Sequence, residues 1–169
     1  MTLPGTANPR LNMPDAALHY PIMLDAEAIK TYLPHRGEML FARTVTILAH
    51  NHYQGMANWL RASTLLQGHF PGLPIVPGVL IVEALAQIAG AGLFAGDPYV
   101  QSLDKNLLGV LAQIRKTQFK QPVPADTDVT YEVHCRQLSA MAVQVTGVAS
   151  VNAQEVAQME ILLVLTPKP

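Results

Sequence analysis

The clearest alternation of hydrophobic and polar positions runs from Asp128 to Leu138. Val129, Tyr131, Val133 and Cys135 fall on one face, and Thr130, Glu132, His134 and Arg136 on the other. That period of two marks a half-buried strand. Similar stretches read as strands over Met39–Ala49, Tyr53–Leu60, Leu107–Phe119, Met141–Val151 and Glu155–Leu165. His50, Asn51 and His52 turn the first pair, and Asn152 turns the last. Two segments break the period. Asp25 is placed to cap a short helix over Ala26–Tyr32, which Pro34 ends. Pro77 opens a nearly continuous apolar run to Phe94, with Gly96 as its stop. Proline is favoured at a first helical position, where its missing N–H has no partner to lose. Leu65–Val76, dense in Gly and Pro, reads as the loop before that helix. Strand, strand, helix and four strands make an α+β domain, with one central helix on an antiparallel sheet.

Composition adds an expectation of assembly. Half of the 169 residues are hydrophobic and only 14% are charged, against about 25% in an average soluble domain. Such a deficit predicts that a partner, most simply a second copy, covers some outer surface. The length suits a single domain, set at residues 21–166, preceded by an irregular arm over Met1–Tyr20 that carries Pro4, Gly5, Pro9 and Pro14. The arm has one basic residue, Arg10, and no apolar stretch, so it does not read as a secretory signal. A net charge of −1 exerts no bulk pull on nucleic acid or acidic membranes. Cys135 is the only cysteine, which excludes an intrachain disulfide and fits a reducing, cytoplasmic setting.

Within the apolar run from Pro77, Glu83 and Gln87 are the polar exceptions. The run is long enough to cross a membrane, for which about 20 apolar residues suffice. A carboxylate near its middle would cost a few kcal/mol in lipid, and no cationic flank marks either end. A core helix wrapped by sheet fits better, since Ala84, Ala86, Ala89, Gly90, Ala91 and Gly92 permit close approach. That reading leaves Glu83 unexplained, because ionised glutamates are rarely buried without a partner. Burial predicts a raised pKa and a general acid, with Gln87 one turn later to orient it. His69 stands fourteen positions before Glu83, between Gly68 and Gly72. A loop histidine is ordinarily a solvated side chain. Here the glycines and Pro71 constrain the loop beside an apolar helix, which favours a general base. The Gly78 N–H, at the helix N-terminus, is placed to donate to a developing oxyanion.

The segment Gly68-His69-Phe70-Pro71-Gly72-Leu73-Pro74-Ile75-Val76-Pro77-Gly78-Val79-Leu80-Ile81-Val82-Glu83-Ala84-Leu85-Ala86-Gln87 closely resembles the signature of the (3R)-hydroxyacyl-acyl-carrier-protein dehydratases of the FabZ type. Glutamate at position 83 resembles this branch rather than the related dehydratase-isomerases, which carry aspartate. The resemblance spans roughly Leu24 to Leu165, with Leu33-Pro34-His35-Arg36 similar to the family's opening motif. Phe119-Lys120-Gln121-Pro122-Val123 is similar to a later strand-and-turn motif. The resemblance implies the hotdog fold, a sheet wrapped around the central helix. It also implies a homodimer or a trimer of dimers, with His69 of one subunit facing Glu83 of the other. The implied reaction turns a (3R)-hydroxyacyl thioester on acyl carrier protein into the trans-2-enoyl thioester. His69 would take the α-proton and Glu83 would protonate the hydroxyl, directly or through a water. Gly78, Gln87, Phe70 and Pro71 would form the oxyanion and substrate-binding set. No metal or soluble cofactor is implied. The departures are Gly37-Glu38-Met39 in place of an aromatic-Pro-aromatic run, Ala42 for an aspartate, Gln118 for an arginine and Ala125 for a turn glycine. They bear on tunnel shape, carrier contacts and whether the pathway is fatty-acid synthesis or a specialised acyl or polyene route.

Arg115, Lys116 and Lys120 lie close together with no acidic residue among them. They read either as a solvated strand edge or as a landing patch for the acidic carrier and its phosphopantetheine arm. His50 and His52 have no carboxylate or cysteine near them in sequence, so no metal site is expected there. His35 and His134 read as structural or exposed. Two rival functions remain: a thioesterase on the same fold, and a non-catalytic accessory subunit of a heteromeric dehydratase.

Overall fold

The computed structural model describes residues 18–169. Most of the expected N-terminal arm, residues 1–17, therefore lies outside the described residues. The chain forms β1 (Ile22–Leu24), α1 (Ala26–Tyr32), a 3-10 turn (Gly37–Met39), β2 (Ala42–Ala49), β3 (His52–Ala57) and α2 (Thr64–Gln67). Then come α3 (Gly78–Gly96), α4 (Pro98–Ser102), β4 (Leu107–Phe119), β5 (Val129–Gln137), β6 (Ala142–Val151) and β7 (Gln154–Pro167). All strand pairs are antiparallel, in the order β1-β2-β3-β5-β6-β7-β4. Leaving β3, the chain passes through the helices and re-enters the sheet as β4 at the far edge.

The alternation read along β5 decides which face turns inward. Val129, Tyr131, Val133 and Cys135 are buried, whereas Thr130, His134 and Arg136 are exposed. The inner face curves around α3, whose residues from Ala84 to Gly96 are buried except Ala86 and Phe94. By length and hydropathy α3 could cross a membrane, but two-thirds of it is buried inside the protein. It is the core helix of a hotdog fold.

Small residues allow that seating from both sides. A Cβ at Gly92 of α3 would lie 2.5 Å from the Tyr53 ring of β3. In the opposite direction, a Cβ at Gly147 of β6 would lie 2.3 Å from Leu85 of the helix. Both distances are shorter than side chains tolerate, so glycine sets the helix-to-sheet separation.

Several boundaries differ from the sequence expectation. Gly37, at φ +58°, starts the 3-10 turn that takes Met39 out of the strand, so β2 begins only at Ala42. Asn58 ends β3 early: its side chain accepts from Arg43 at 3.1 Å and donates to Asp128 at 3.0 Å. Pro77 is the N-cap of α3 rather than its first residue, and Gly96 is still helical. The loop reading of Leu65–Val76 missed α2, one turn capped by the Ser63 hydroxyl. β1 and α4 are likewise additional to the expected elements.

Candidate active site

His69 follows directly on α2. Its backbone carbonyl accepts from the Ile75 N–H at 3.3 Å, and its ring Nδ1 meets the Ile75 carbonyl at 3.0 Å. A carbonyl only accepts, so Nδ1 carries the proton and the neutral ring keeps its lone pair on Nε2. The ring also stacks on Phe70, with centroids 4.3 Å apart. Gly72, at φ +80°, lets the chain turn back so that Phe70 and Leu73 exchange backbone hydrogen bonds. Val76 donates to Val123 and Ala125 donates to Pro74, which pins the loop to the turn after β4. The loop around His69 is thus braced by hydrogen bonds at both ends.

A cleft of about 460 Å³ opens beside this loop, lined by His69, Ile75, Gly78, Val79, Phe119 and Pro122 among others. Gly78 is the first residue of α3, so its N–H has no acceptor within the helix. A Cβ at Gly78 would lie 2.8 Å from the Phe119 ring, so the absence of a side chain lets that ring pack directly against the first turn of α3. Phe70 and Pro71 are exposed at the rim of the loop.

Glu83 is not among the residues that line that cleft. Its Oε1 accepts from His35 Nε2 at 3.2 Å and from Gln87 Nε2 at 3.1 Å. Gln87 is 1% exposed, and every polar atom of its side chain is used. Its Oε1 accepts from the Phe41 and Ala42 N–H groups at 2.8 and 3.3 Å, and its Nε2 also donates to the Met39 carbonyl at 2.8 Å. Gln87 thus orients Glu83 as expected and also stitches α3 to the start of β2. Among the described residues, no hydrogen bond or ion pair joins His69 to Glu83.

The raised pKa expected for Glu83 is not found. Burial pushes the carboxyl up, but the His35 and Gln87 hydrogen bonds and the charge of His35 outweigh it, leaving Glu83 below the ordinary value. Sequence reasoning set His35 aside as structural or exposed; the structure makes it the principal partner of Glu83. The signal lay in the Leu33-Pro34-His35-Arg36 motif, whose geometry only the fold reveals. Arg36 donates to the carbonyls of Leu33, His35 and Lys30 at 2.7, 2.7 and 3.0 Å. Those bonds close the end of α1 and fix the backbone that presents His35. Glu38, one of the departures, accepts from the Thr64 N–H at 3.1 Å and from the Thr64 hydroxyl. It ties the His35 segment to the helix that leads into His69.

The basic cluster is less free than its sequence suggests. Lys120 pairs with Glu155 at 2.6 Å and Arg115 with Glu160 at 3.5 Å, both from β7. Lys116 has no acidic partner among the described residues. The metal reading of the turn also changes: His50 is not involved, but His52 is joined by Glu132 and His134.

A family model for the FabA-like domain matches residues 33–160, a span that includes His35, His69 and Glu83. The chain is 34% identical over 140 residues to the 3-hydroxyacyl-acyl-carrier-protein dehydratase FabZ of Petrotoga mobilis, covering 83% of this chain and 96% of that one. It is 35% identical over 148 residues to the FabZ dehydratase of Clostridioides difficile, covering 86% of this chain and all of the relative. Among solved structures, the ApeI:P dehydratase heterocomplex of Xenorhabdus doucetiae superposes with a TM-score of 0.65 at 18% identity, covering 89% of this chain and 94% of that one. With the motif, the fold and these matches in agreement, the chain belongs to the FabA-like family and, within it, to the FabZ-type dehydratases.

Proposed function

We propose that this chain is a hydro-lyase that converts (3R)-hydroxyacyl-acyl carrier protein into the trans-2-enoyl thioester, with His69 as base and Glu83 as acid. The observation that carries the residue assignment is the fixed tautomer of His69. Its Nδ1–H is committed to Ile75, so Nε2 is the basic atom, and both His69 and Gly78 line the same cleft. His69 Nε2 takes the α-proton from C2, and the freed electron pair forms the C2–C3 double bond as the C3–O bond breaks. Glu83 supplies the proton with which the hydroxyl leaves as water. Gly78 N–H stabilises the charge that builds on the thioester oxygen.

Glu83 need not be neutral at rest. Glu83 must carry a proton for this step, and His35 Nε2, 3.2 Å from its Oε1, is the group placed to pass one to it. Gln87 keeps the carboxylate in place, and Phe70 and Pro71 border the substrate's path. Lys116 is the member of the basic cluster left to meet the carrier or its phosphate arm.

Two copies complete the site, with His69 of one facing Glu83 of the other. Three features support this. Among the described residues no hydrogen bond or ion pair joins His69 to Glu83, β4 is a 13-residue strand at an edge of the described sheet, and Val79 and Phe119 at the cleft are 66% and 47% exposed. A long unpaired edge is a template for pairing with a second chain. The single buried thiol of Cys135 fits the cytoplasm as the place of action.

The test is incubation with a (3R)-hydroxyacyl thioester on carrier protein, read by mass spectrometry. Wild type should give an 18 Da loss, and His69→Ala and Glu83→Ala should each slow it by about 10²–10⁴-fold. Release of the carrier thiol without loss of water would instead make the chain a thioesterase.

A further inference from the structure

We infer that His52, Glu132 and His134 form a binding site for one divalent transition-metal ion of the zinc class, on the outer face of the sheet. The strand register builds it. His52 of β3 lies directly opposite His134 of β5, and Glu132 precedes His134 by two positions, which places it on the same face. The two imidazoles stack, with centroids 4.3 Å apart and planes 21° apart. Their Nε2 atoms converge on a single carboxylate oxygen: Glu132 Oε1 is hydrogen-bonded to His52 Nε2 and lies 3.9 Å from His134 Nε2. One ligand atom from each of the three residues lies within 4.8 Å of the others.

Those separations suit coordination. Ligands about 2.0–2.1 Å from a tetrahedral metal stand about 3.4 Å from one another. The His52–Glu132 contact is shorter than that and the His134–Glu132 distance longer, so small side-chain rotations would admit the ion. Two imidazoles and a carboxylate suit Zn²⁺, Co²⁺, Ni²⁺ or Cu²⁺ rather than Mg²⁺ or Ca²⁺, which take oxygen ligands. An orienting partner is already present, because Gln54 donates to the other carboxylate oxygen of Glu132 at 2.9 Å. The three residues come from neighbouring strands, so the ion would clip β3 to β5. None of them lines the cleft beside His69, and the site is separate from the proposed chemistry.

The experiment uses untagged full-length protein stripped with a chelator and titrated with Zn²⁺ by calorimetry. Co²⁺ absorption in the visible range reports the ligand set. Wild type should bind one equivalent saturably, and His134→Ala and Glu132→Gln should each weaken binding at least tenfold while retaining the wild-type circular dichroism spectrum. Saturating Zn²⁺ should raise the unfolding temperature of wild type and leave both variants unmoved. His69→Ala should bind the ion as wild type does. Absence of saturable binding in wild type, equal binding in the two site variants, or loss of binding in His69→Ala would each overturn the assignment.

Discussion

At the scale of single residues, Glu83 shows two forces of opposite sign acting on one group. Burial alone would favour the neutral acid, but His35 and Gln87 both donate to the carboxylate and hold it below its ordinary pKa of 4.5. Removing His35 therefore leaves burial less opposed. In His35→Ala the pKa of Glu83 should rise, and the limb of the kcat/KM profile that reports Glu83 should move to higher pH. A limb that stays in place would show that His35 does not tune the acid. The same shift has a stability consequence with a defined sign. A depressed carboxylate contributes stability above its unfolded value, and loses it as pH falls through the folded value. The stability difference between wild type and Glu83→Gln, measured by urea unfolding, should accordingly shrink as pH is lowered from 6 to below 4.5. The types of residue in the proposed pair, a histidine in a glycine-flanked loop and a carboxylate in an apolar helix, were legible in the sequence. The direction of the pKa shift was not, because His35 lies outside any local window around Glu83.

At the scale of elements, periodicity succeeded where it was long. β4 has the expected bounds, α1 has the expected cap and span, and β5 buries the face its alternation assigned. The short elements escaped, since α2, α4 and β1 hold only 4, 5 and 3 residues. In α2 and α4 a single Ser63 or Asp97 cap replaces a run of periodic positions. Packing between elements yields a sharper test. Gly147→Ala would place a Cβ 2.3 Å from Leu85 Cδ1, and Leu85 is fully buried, so its side chain must shift within the core. The substitution should lower stability by about 1–3 kcal/mol in chemical denaturation, and an unchanged midpoint would mean that α3 is not seated as tightly as described.

At the scale of the whole molecule, the proposal makes the chain half of a site. The proposed docking of a second copy rests on the edge position of β4 among the described strands, on the exposed Val79 and on the lack of a hydrogen bond or ion pair between His69 and Glu83. Subunit mixing tests it directly. His69→Ala and Glu83→Ala should each be inactive, yet co-refolded mixtures should recover about a quarter of wild-type activity. Half of statistically formed dimers are mixed, and each of those holds one intact site of two. Verified mixed dimers without activity would place both residues of one site in the same chain. The low charge content of the sequence raised the expectation of assembly, and the sheet order leaves β4 at an edge among the described strands, where the proposed pairing would occur.

The sequence by itself determined the order of the longer elements, the inner face of β5, the core role of the apolar helix and the histidine and glutamate that carry the proposed chemistry. These features depend on residue type and local spacing, which a linear pattern carries. Only the tertiary structure decided what surrounds them. Antiparallel pairing set Glu132 and His134 beside His52 across eighty residues. It also supplied Glu155 and Glu160 to cations that had no acid nearby in sequence, and the turn after α1 delivered His35 to Glu83. The energy of a charged or polar group depends on its neighbours in space, and those are chosen by strand register and helix seating rather than by local pattern.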